Sequence, residues 1–140
     1  MNCNKRMEGG ITMMTYNKYD VVFGEFSDYA GSIQSGYRPC IIIQNDIGNR
    51  YSPTLIVMPL TSKIKNLDQA THLLIKRSKE NGLKTDSVLL AEQIATINKE
   101  KVKKIGHISD RQLQKDIFKC FIYSAAYGER DDDLKELQIG

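Results

Sequence analysis

The residues best suited to chemistry lie in a polar, glycine-rich stretch, residues 31–39, which ends in Arg38 and Pro39. The apolar run Cys40–Ile43 follows at once and predicts a buried strand. Proline restricts the residue before it to an extended conformation, so Arg38 is presented at the entrance of that strand. An arginine held in this way can donate a fork of hydrogen bonds to a phosphate. The arrangement gives a first indication of a nucleic-acid backbone as ligand.

Short β-strands separated by turn-forming residues account for most of the chain. The predicted strands are Tyr19–Phe26, Pro39–Gln44, Thr54–Leu60, His72–Ile75, Ser87–Ile97 and Ile105–Ile108. Apolar residues at helical spacing from Leu113 to Ala125 predict one C-terminal helix. Ser109 and Gln112 fit a capping box at its start, and Gly128 fits its end. We therefore expect a mainly β fold, a small antiparallel barrel with a C-terminal α-helix and room for one short helix between strands.

Length and composition indicate a single domain. The chain has 140 residues, of which 41% are hydrophobic and 26% charged, as in globular proteins. We divide it into an N-terminal extension (1–18), a domain (19–128) and an acidic tail (129–140) that we expect to be disordered. Met13 or Met14 is a candidate natural start. No apolar run approaches the roughly 20 residues that cross a bilayer, so we expect a cytoplasmic protein that does not bind membranes.

The net charge and the cysteine content limit the partners and the kinds of site that the chain can have. Residues 16–128 alone carry a net charge of +5, and the acidic tail lowers the net charge of the whole chain to +3. A basic domain is compatible with a polyanionic partner. Cys3, Cys40 and Cys120 have no pairing spacing, which argues against a disulfide framework and a zinc site. We expect no metal and no cofactor, and His72 and His107 are interpreted as structural.

Four groups of residues occur in the order typical of MazF/PemK-type toxins. They are Gly31-Ser32-x-Gln34-x-Gly36-x-Arg38-Pro39, Gln44-Asn45-Asp46-x-Gly48-Asn49, Pro59-Leu60-Thr61-Ser62 and Leu90-x-Glu92-Gln93-Ile94-x-Thr96-Ile97. The chain resembles that family from about Tyr19 to Tyr127. The resemblance implies an SH3-like barrel that forms a homodimer and is paired with a cognate antitoxin protein. It also implies an endoribonuclease that cuts single-stranded RNA at short sequence motifs without a metal.

The resemblance assigns roles to individual residues. The family's two catalytic positions fall on Arg38 and Thr61, and an acidic position used for base contacts or proton transfer falls on Glu92. The implied RNA-binding residues are Ser32, Gln34, Gly36, Tyr37, Ser62 and Gln93. Metal-free cleavage uses the ribose 2′-hydroxyl as nucleophile and leaves a 2′,3′-cyclic phosphate and a 5′-hydroxyl. The phosphorane formed on the way carries more negative charge than the substrate, so Arg38 would bind the transition state better than the ground state.

The identity of the general base is less constrained than that of the phosphate-binding groups. A guanidinium, with a pKa above about 12, is a poor resting base, and we prefer Glu92. Plainer alternatives remain for each residue. Arg38 can pair with a surface carboxylate, Thr61 and Ser62 can serve a turn, and Glu92 can be a solvent-facing strand acid.

Departures from the family pattern occur at Ile33, Ala95 and Asn98, where relatives usually carry an acid, an arginine and an aspartate. They leave the RNA sequence preference and the dimer contacts open. The alternative function is a non-catalytic toxin or binding module on the same barrel, either gyrase-poison-like or RNA-binding. The gyrase poisons rely on a C-terminal tryptophan, and this chain contains no tryptophan.

Overall fold

Strands dominate the computed structural model, which describes residues 4–6, 12–26, 36–126 and 136. Its elements are β1 (Asn4–Arg6), β2 (Thr12–Met14), β3 (Asp20–Phe26), β4 (Gly36–Ile42), α1 (Asp46–Tyr51), β5 (Thr54–Thr61), β6 (His72–Ile75), β7 (Ser87–Leu90), β8 (Ala95–Asn98), β9 (Lys103–His107) and α2 (Arg111–Ala126). β1 and β2 pair with each other, and the other seven strands form one antiparallel sheet. Within the described ranges, no helix is long and apolar enough to cross a membrane.

The strand order β6-β7-β5-β4-β3-β9, with β8 also paired to β5, confirms the mainly β class and the C-terminal helix. The sheet is not closed into a ring, because the described end strands β6 and β9 do not pair with each other. The segment between β6 and β7 lies against β9 instead, where the Glu80 carbonyl accepts the His107 amide at 3.0 Å. The expected barrel is therefore an open sheet in the described part of the chain.

The two faces of the sheet bury separate apolar clusters. One cluster, which we call the helix-side core, contains Val21, Ile41, Met58 and Leu60 together with Ile117 of α2. The other, the opposite core, contains Tyr16 and, at alternating positions of the same strands, Val22, Phe26, Cys40, Ile42, Leu55 and Val57. Alternation of side chains across the pleated strands produces this separation. The domain boundary predicted between residues 18 and 19 stays a prediction.

The long strand predicted from residue 87 to residue 97 is wrong at its centre. A 3-10 turn, Ala91–Gln93, separates β7 from β8, although both strands pair with the same edge of β5. Leu60 pairs with Leu89, whereas Val57 pairs with Ala95, so the turn adds three residues relative to a continuous ladder. The amide of Ala91 donates to the Thr71 carbonyl at 3.0 Å, which stabilises the interruption.

Helices α1 and α2 begin at residues with clear caps. The predicted short helix is α1, whose N-cap Asn45 accepts the Gly48 amide through its side chain. At α2 the predicted Ser109 cap is wrong: Asp110 accepts the Leu113 amide at 3.0 Å. Ser109 instead donates its hydroxyl and its amide to the Glu80 carboxylate, hydrogen bonds that lower the pKa of that group. The predicted stop at residue 128 lies outside the described residues.

The segment between β6 and β7 is fixed closely against β9. Two glycines make the approach possible: a Cβ at Gly82 would collide with the Ile105 backbone, and one at Gly106 with the backbone of Asn81. Gly82 also has a φ of 70°, a conformation that disfavours other residues. The position of this segment is therefore set by backbone packing, and it forms one wall of the cleft described next.

Candidate active site

Arg38 and Thr61 occupy matching positions on neighbouring strands. Each lies two residues beyond Cys40 and Pro59, the last pair of the β4–β5 ladder. Because side chains alternate along strands, Arg38 and Thr61 belong to the same sheet face as that pair. The residue directly opposite Arg38 on β3 is Gly24, so no side chain crowds the arginine from that strand. The fold thus places the two predicted catalytic residues at the same end of two adjacent strands.

The Arg38 side chain is half-buried, and this burial lowers the pKa of its guanidinium. A Cβ at Gly24 would lie 2.9 Å from Cδ1 of Ile97 and 3.2 Å from Cγ1 of Val102, so apolar side chains fill the space over the glycine. Below Arg38 on the same face, the Cys40 thiol is fully buried and its pKa is raised to about 12. A cation with an apolar base is poorly solvated, which strengthens its attraction for an anion.

Thr61 is 6% exposed, and its Oγ1 accepts the Lys63 amide at 3.2 Å. This hydrogen bond orients the hydroxyl and leaves its hydrogen as a donor. The neighbouring Ser62 is exposed. A strand end holds such a hydroxyl better than a loop does, because the backbone ladder up to residue 61 fixes its position.

A cleft of about 530 Å³ opens beside Arg38. It is lined by Phe23, Tyr37, Arg38, Pro39, Leu60, Ser62, Gly82, Leu83, Lys84, Thr85, Ser87, Lys103 and Ile105. We call it the Arg38 cleft. Its floor comes from β3, β4, β5 and β9, and one wall comes from the segment between β6 and β7. Thr61 is not among its lining residues, although Leu60 and Ser62 on either side of it are, because Thr61 and Arg38 belong to the sheet face opposite that of Leu60, Phe23 and Tyr37.

Glu92 lies on the 3-10 turn after β7, so β5 separates its position from β4. Both of its carboxylate oxygens are engaged: Oε1 accepts the Thr71 hydroxyl at 2.9 Å, and Oε2 lies 3.1 Å from Nε2 of His72. The other ring nitrogen of His72 lies 3.0 Å from the Asn66 carbonyl oxygen. Both ring nitrogens of His72 therefore face oxygen atoms that can accept a hydrogen bond.

The predicted site residues fall into three groups. The structure brings Tyr37, Arg38 and Ser62 together in the cleft, with Gly36 at the adjoining start of β4 and Thr61 beside Ser62. A second group, Glu92 and Gln93, lies together on the 3-10 turn beyond β5. Ser32 and Gln34 lie outside the described residues, as does Ile33.

Sequence reasoning missed several residues of the cleft. Phe23 was assigned only to a strand, and Lys84 and Lys103 fall between predicted strands and were given no role. The sequence does contain a signal for Phe23, since it alternates with the buried Val22 and stands two residues from the buried Val21. Its partners, however, come from strand register, which one sequence does not reveal. The acid partners of the two histidines were also missed, because His72 is 20 residues from Glu92 and His107 is 87 residues from Asp20.

The fold is shared with solved structures of MazF and of an endoribonuclease. MazF from Deinococcus radiodurans superposes with a TM-score of 0.66 at 14% identity, over 79% of this chain and 96% of that one. An endoribonuclease in complex with its cognate antitoxin from Mycobacterial species gives a TM-score of 0.60 at 17% identity, over 78% and 93% of the two chains. At these identities the likeness establishes a common fold, that of MazF.

Sequence comparison extends this result from fold to family. Residues 17–116 match the family model for the PemK-like, MazF-like toxin of type II toxin–antitoxin systems. Endoribonuclease EndoA of Bacillus subtilis (strain 168) is 45% identical over 103 residues, which cover 73% of this chain and 88% of that protein. The chain therefore belongs to the PemK-like, MazF-like toxins of type II toxin–antitoxin systems.

Proposed function

We propose that the protein cleaves single-stranded RNA, mRNA in particular, at Arg38 and Thr61 by attack of the ribose 2′-hydroxyl on the adjacent phosphate. It is an endoribonuclease toxin of its family, in keeping with the relative of 45% identity that bears the name endoribonuclease. The products are a 2′,3′-cyclic phosphate and a 5′-hydroxyl. Cleavage is sequence-specific and independent of metal ions, and the groups that perform it belong to the chain itself.

The observation that carries this proposal is the half-buried Arg38 beside a cleft, with Thr61 at the matching position of the next strand on the same sheet face. The phosphorane gains negative charge on its non-bridging oxygens. A guanidinium with an apolar base and an oriented hydroxyl donor stabilise that charge more than they stabilise the ground-state phosphodiester. One such donor contact contributes on the order of 3 kcal/mol, about a hundredfold in rate or more.

Proton transfer is proposed for Glu92, with His72 as the group that holds its carboxylate. The hydrogen bonds from Thr71 and His72 orient the carboxylate, and the 39% exposure of its side chain leaves it accessible to RNA. A base acts only within hydrogen-bond reach of the 2′-hydroxyl. The RNA would therefore extend from the Arg38 cleft across β5 to the 3-10 turn, where Gln93 contacts a base.

The partners follow from the family. We propose that the protein acts as a homodimer in the cytoplasm and is held inactive by a cognate antitoxin, as the mycobacterial relative is seen in complex with its own. An acidic, flexible antitoxin segment that folds on binding would fit the Arg38 cleft, since such segments cover wide, shallow surfaces. Its carboxylates would compete with RNA phosphates for Arg38.

The test is incubation of the purified protein with a mixed RNA in EDTA, followed by analysis of the fragment ends. We expect fragments that end in 2′,3′-cyclic phosphate, and Arg38→Ala should lower the rate at least a hundredfold. Arg77→Ala is the matched control, because Arg77 is exposed and does not line the cleft. RNA left intact by the wild-type protein would refute the enzyme proposal and favour a non-catalytic toxin or RNA-binding module.

A further inference from the structure

Two aromatic rings form an exposed platform in the floor of the Arg38 cleft. The ring centroids of Phe23 and Tyr37 are 5.9 Å apart, and the ring planes differ by 14°. Phe23 is 39% exposed and Tyr37 is 64% exposed. One planar surface of this stack is therefore available to a ligand.

Strand register explains why the platform is bordered by cations. Phe23 pairs with Pro39 of β4 and with Lys103 of β9, so these three side chains lie in a row across one sheet face. Tyr37 is the diagonal neighbour of Phe23 on β4, at a distance that aromatic side chains can bridge. The wall opposite contributes Lys84. Both lysines are exposed and line the same cleft as the platform.

The charge of the cleft has one sign. Among the described residues that line it are three cations, Arg38, Lys84 and Lys103, and no carboxylate. Glu25 pairs with Tyr37 in register and lies on the same face, but it is not one of the lining residues. The cleft thus combines a stacking surface with a positive border on the side of Lys84 and Lys103.

We propose that the cleft binds a nucleobase of the RNA strand, stacked on Tyr37 and Phe23, while Lys84 and Lys103 contact the neighbouring phosphates. The inference rests on the proposed function and deepens it. Bases and phosphates alternate along a single strand, and this pattern matches an aromatic platform beside separated cations. An apolar peptide would leave the lysines without partners. Every base has a π-face, so this subsite contributes affinity rather than sequence preference.

The probe is a fluorescein-labelled single-stranded deoxyoligonucleotide of about 12 nucleotides with 2-aminopurine in its middle, because DNA lacks the 2′-hydroxyl and is not cleaved. Binding is followed by fluorescence anisotropy, and stacking by quenching of the 2-aminopurine. We expect Tyr37→Ala to weaken binding roughly tenfold and to abolish the quenching, whereas Tyr37→Phe retains both. Tyr51→Ala is the matched control, since Tyr51 is 71% exposed on α1 outside the cleft.

The lysine contribution is tested separately through its salt dependence. Lys103→Gln should weaken binding and reduce the magnitude of the slope of log affinity against log salt by about 0.7, the value for one phosphate contact on a single strand. Lys101→Gln is the control, because Lys101 is exposed and is not a lining residue. The thermal unfolding midpoint of every variant identifies any loss of binding that results from misfolding.

The outcomes separate this inference from the proposed function. If the wild-type protein cleaves RNA but Tyr37→Ala and Lys103→Gln bind the probe as the wild type does, the stacking subsite is refuted and the proposed cleavage activity is supported. If the wild-type protein does not cleave RNA but the same variants lose binding and quenching, the subsite stands and the enzyme proposal is refuted. Binding to the wild-type protein without quenching also overturns the subsite.

Discussion

The buried thiol of Cys40 offers a quantitative test of how well the sheet face below Arg38 excludes water. Burial raises the pKa of Cys40 from an ordinary value of 9.0 to about 12. The folded protein therefore keeps the proton between these two values, whereas the unfolded chain releases it. Because the native state binds more protons in this window, stability falls as the pH rises through it. The contribution of the Cys40 thiol to stability is fully present below its pKa in the unfolded chain, and it is lost as the pH rises toward its pKa in the folded protein.

The size of the effect follows from the two pKa values. At about pH 10 the unfolded thiol is ionised in a ratio of roughly ten to one, so the folded state loses about 1 kcal/mol relative to its stability at about pH 8. Cys40→Ala removes this loss. The variant also leaves a cavity, but the cost of a cavity does not depend on pH. We therefore expect the variant to be less stable at both pH values and to lose about 1 kcal/mol less than the wild type between them.

The assay is urea unfolding at about pH 8 and about pH 10, with a phosphine reductant that keeps all thiols free. The groups that titrate in the same window, among them Tyr16, Tyr19 and Cys120, are present in both proteins and cancel in the comparison. An equal loss of stability in the two proteins would mean that the Cys40 thiol ionises as readily when folded. The idea of an apolar base under the Arg38 guanidinium would then be abandoned.

Three further predictions concern the site and its support. Glu92→Gln should lower the cleavage rate by a factor of 10² to 10⁴ and remove the acidic limb of the pH–rate profile; an unchanged limb eliminates Glu92 as the base. Gly36→Ala should cost about 1 kcal/mol in urea unfolding, because Gly36 has a φ of 84° while its Cβ position is open; a cost well above that would indicate a steric clash instead. Asp20→Asn should cost about 3 to 5 kcal/mol, since the fully buried Asp20 contacts His107 at 2.7 Å and Lys104 at 3.2 Å; a near-neutral result in thermal unfolding would contradict that pairing.

The fold was predictable where the pattern is local. Apolar and β-branched runs bounded by turn-forming residues located the strands, and the apolar stripe located α2. The break at Ala91–Gln93 was not predictable, because a tertiary hydrogen bond from Ala91 to Thr71 stabilises it within an otherwise continuous β pattern. The Ser109 cap failed for a similar reason, since Glu80, 29 residues away, takes its donors.

The site was predictable to the extent that motifs name single residues. Arg38 and Tyr37 stand within one motif, and both line the cleft together with Ser62 from another motif, although alternation along β4 places Arg38 and Tyr37 on opposite sheet faces. The contributions of Phe23 and Lys103 depend on the register between β3 and β9, which includes an irregularity after Val21 that no local pattern encodes. The register between strands that are distant in the sequence was therefore the part of the cleft that could not be predicted.

The glycine pair between the β6–β7 segment and β9 has a consequence for how this toxin can diversify. Gly82 and Gly106 fix the width of the opening through main-chain packing, whereas Lys84 and Thr85 on the same wall are exposed. Substitution of Lys84 or Thr85 changes the side chains that line this wall but does not change the main-chain packing that sets its position. New ligand preferences can thus evolve at positions 84 and 85 at little cost in stability, while the two glycines stay fixed.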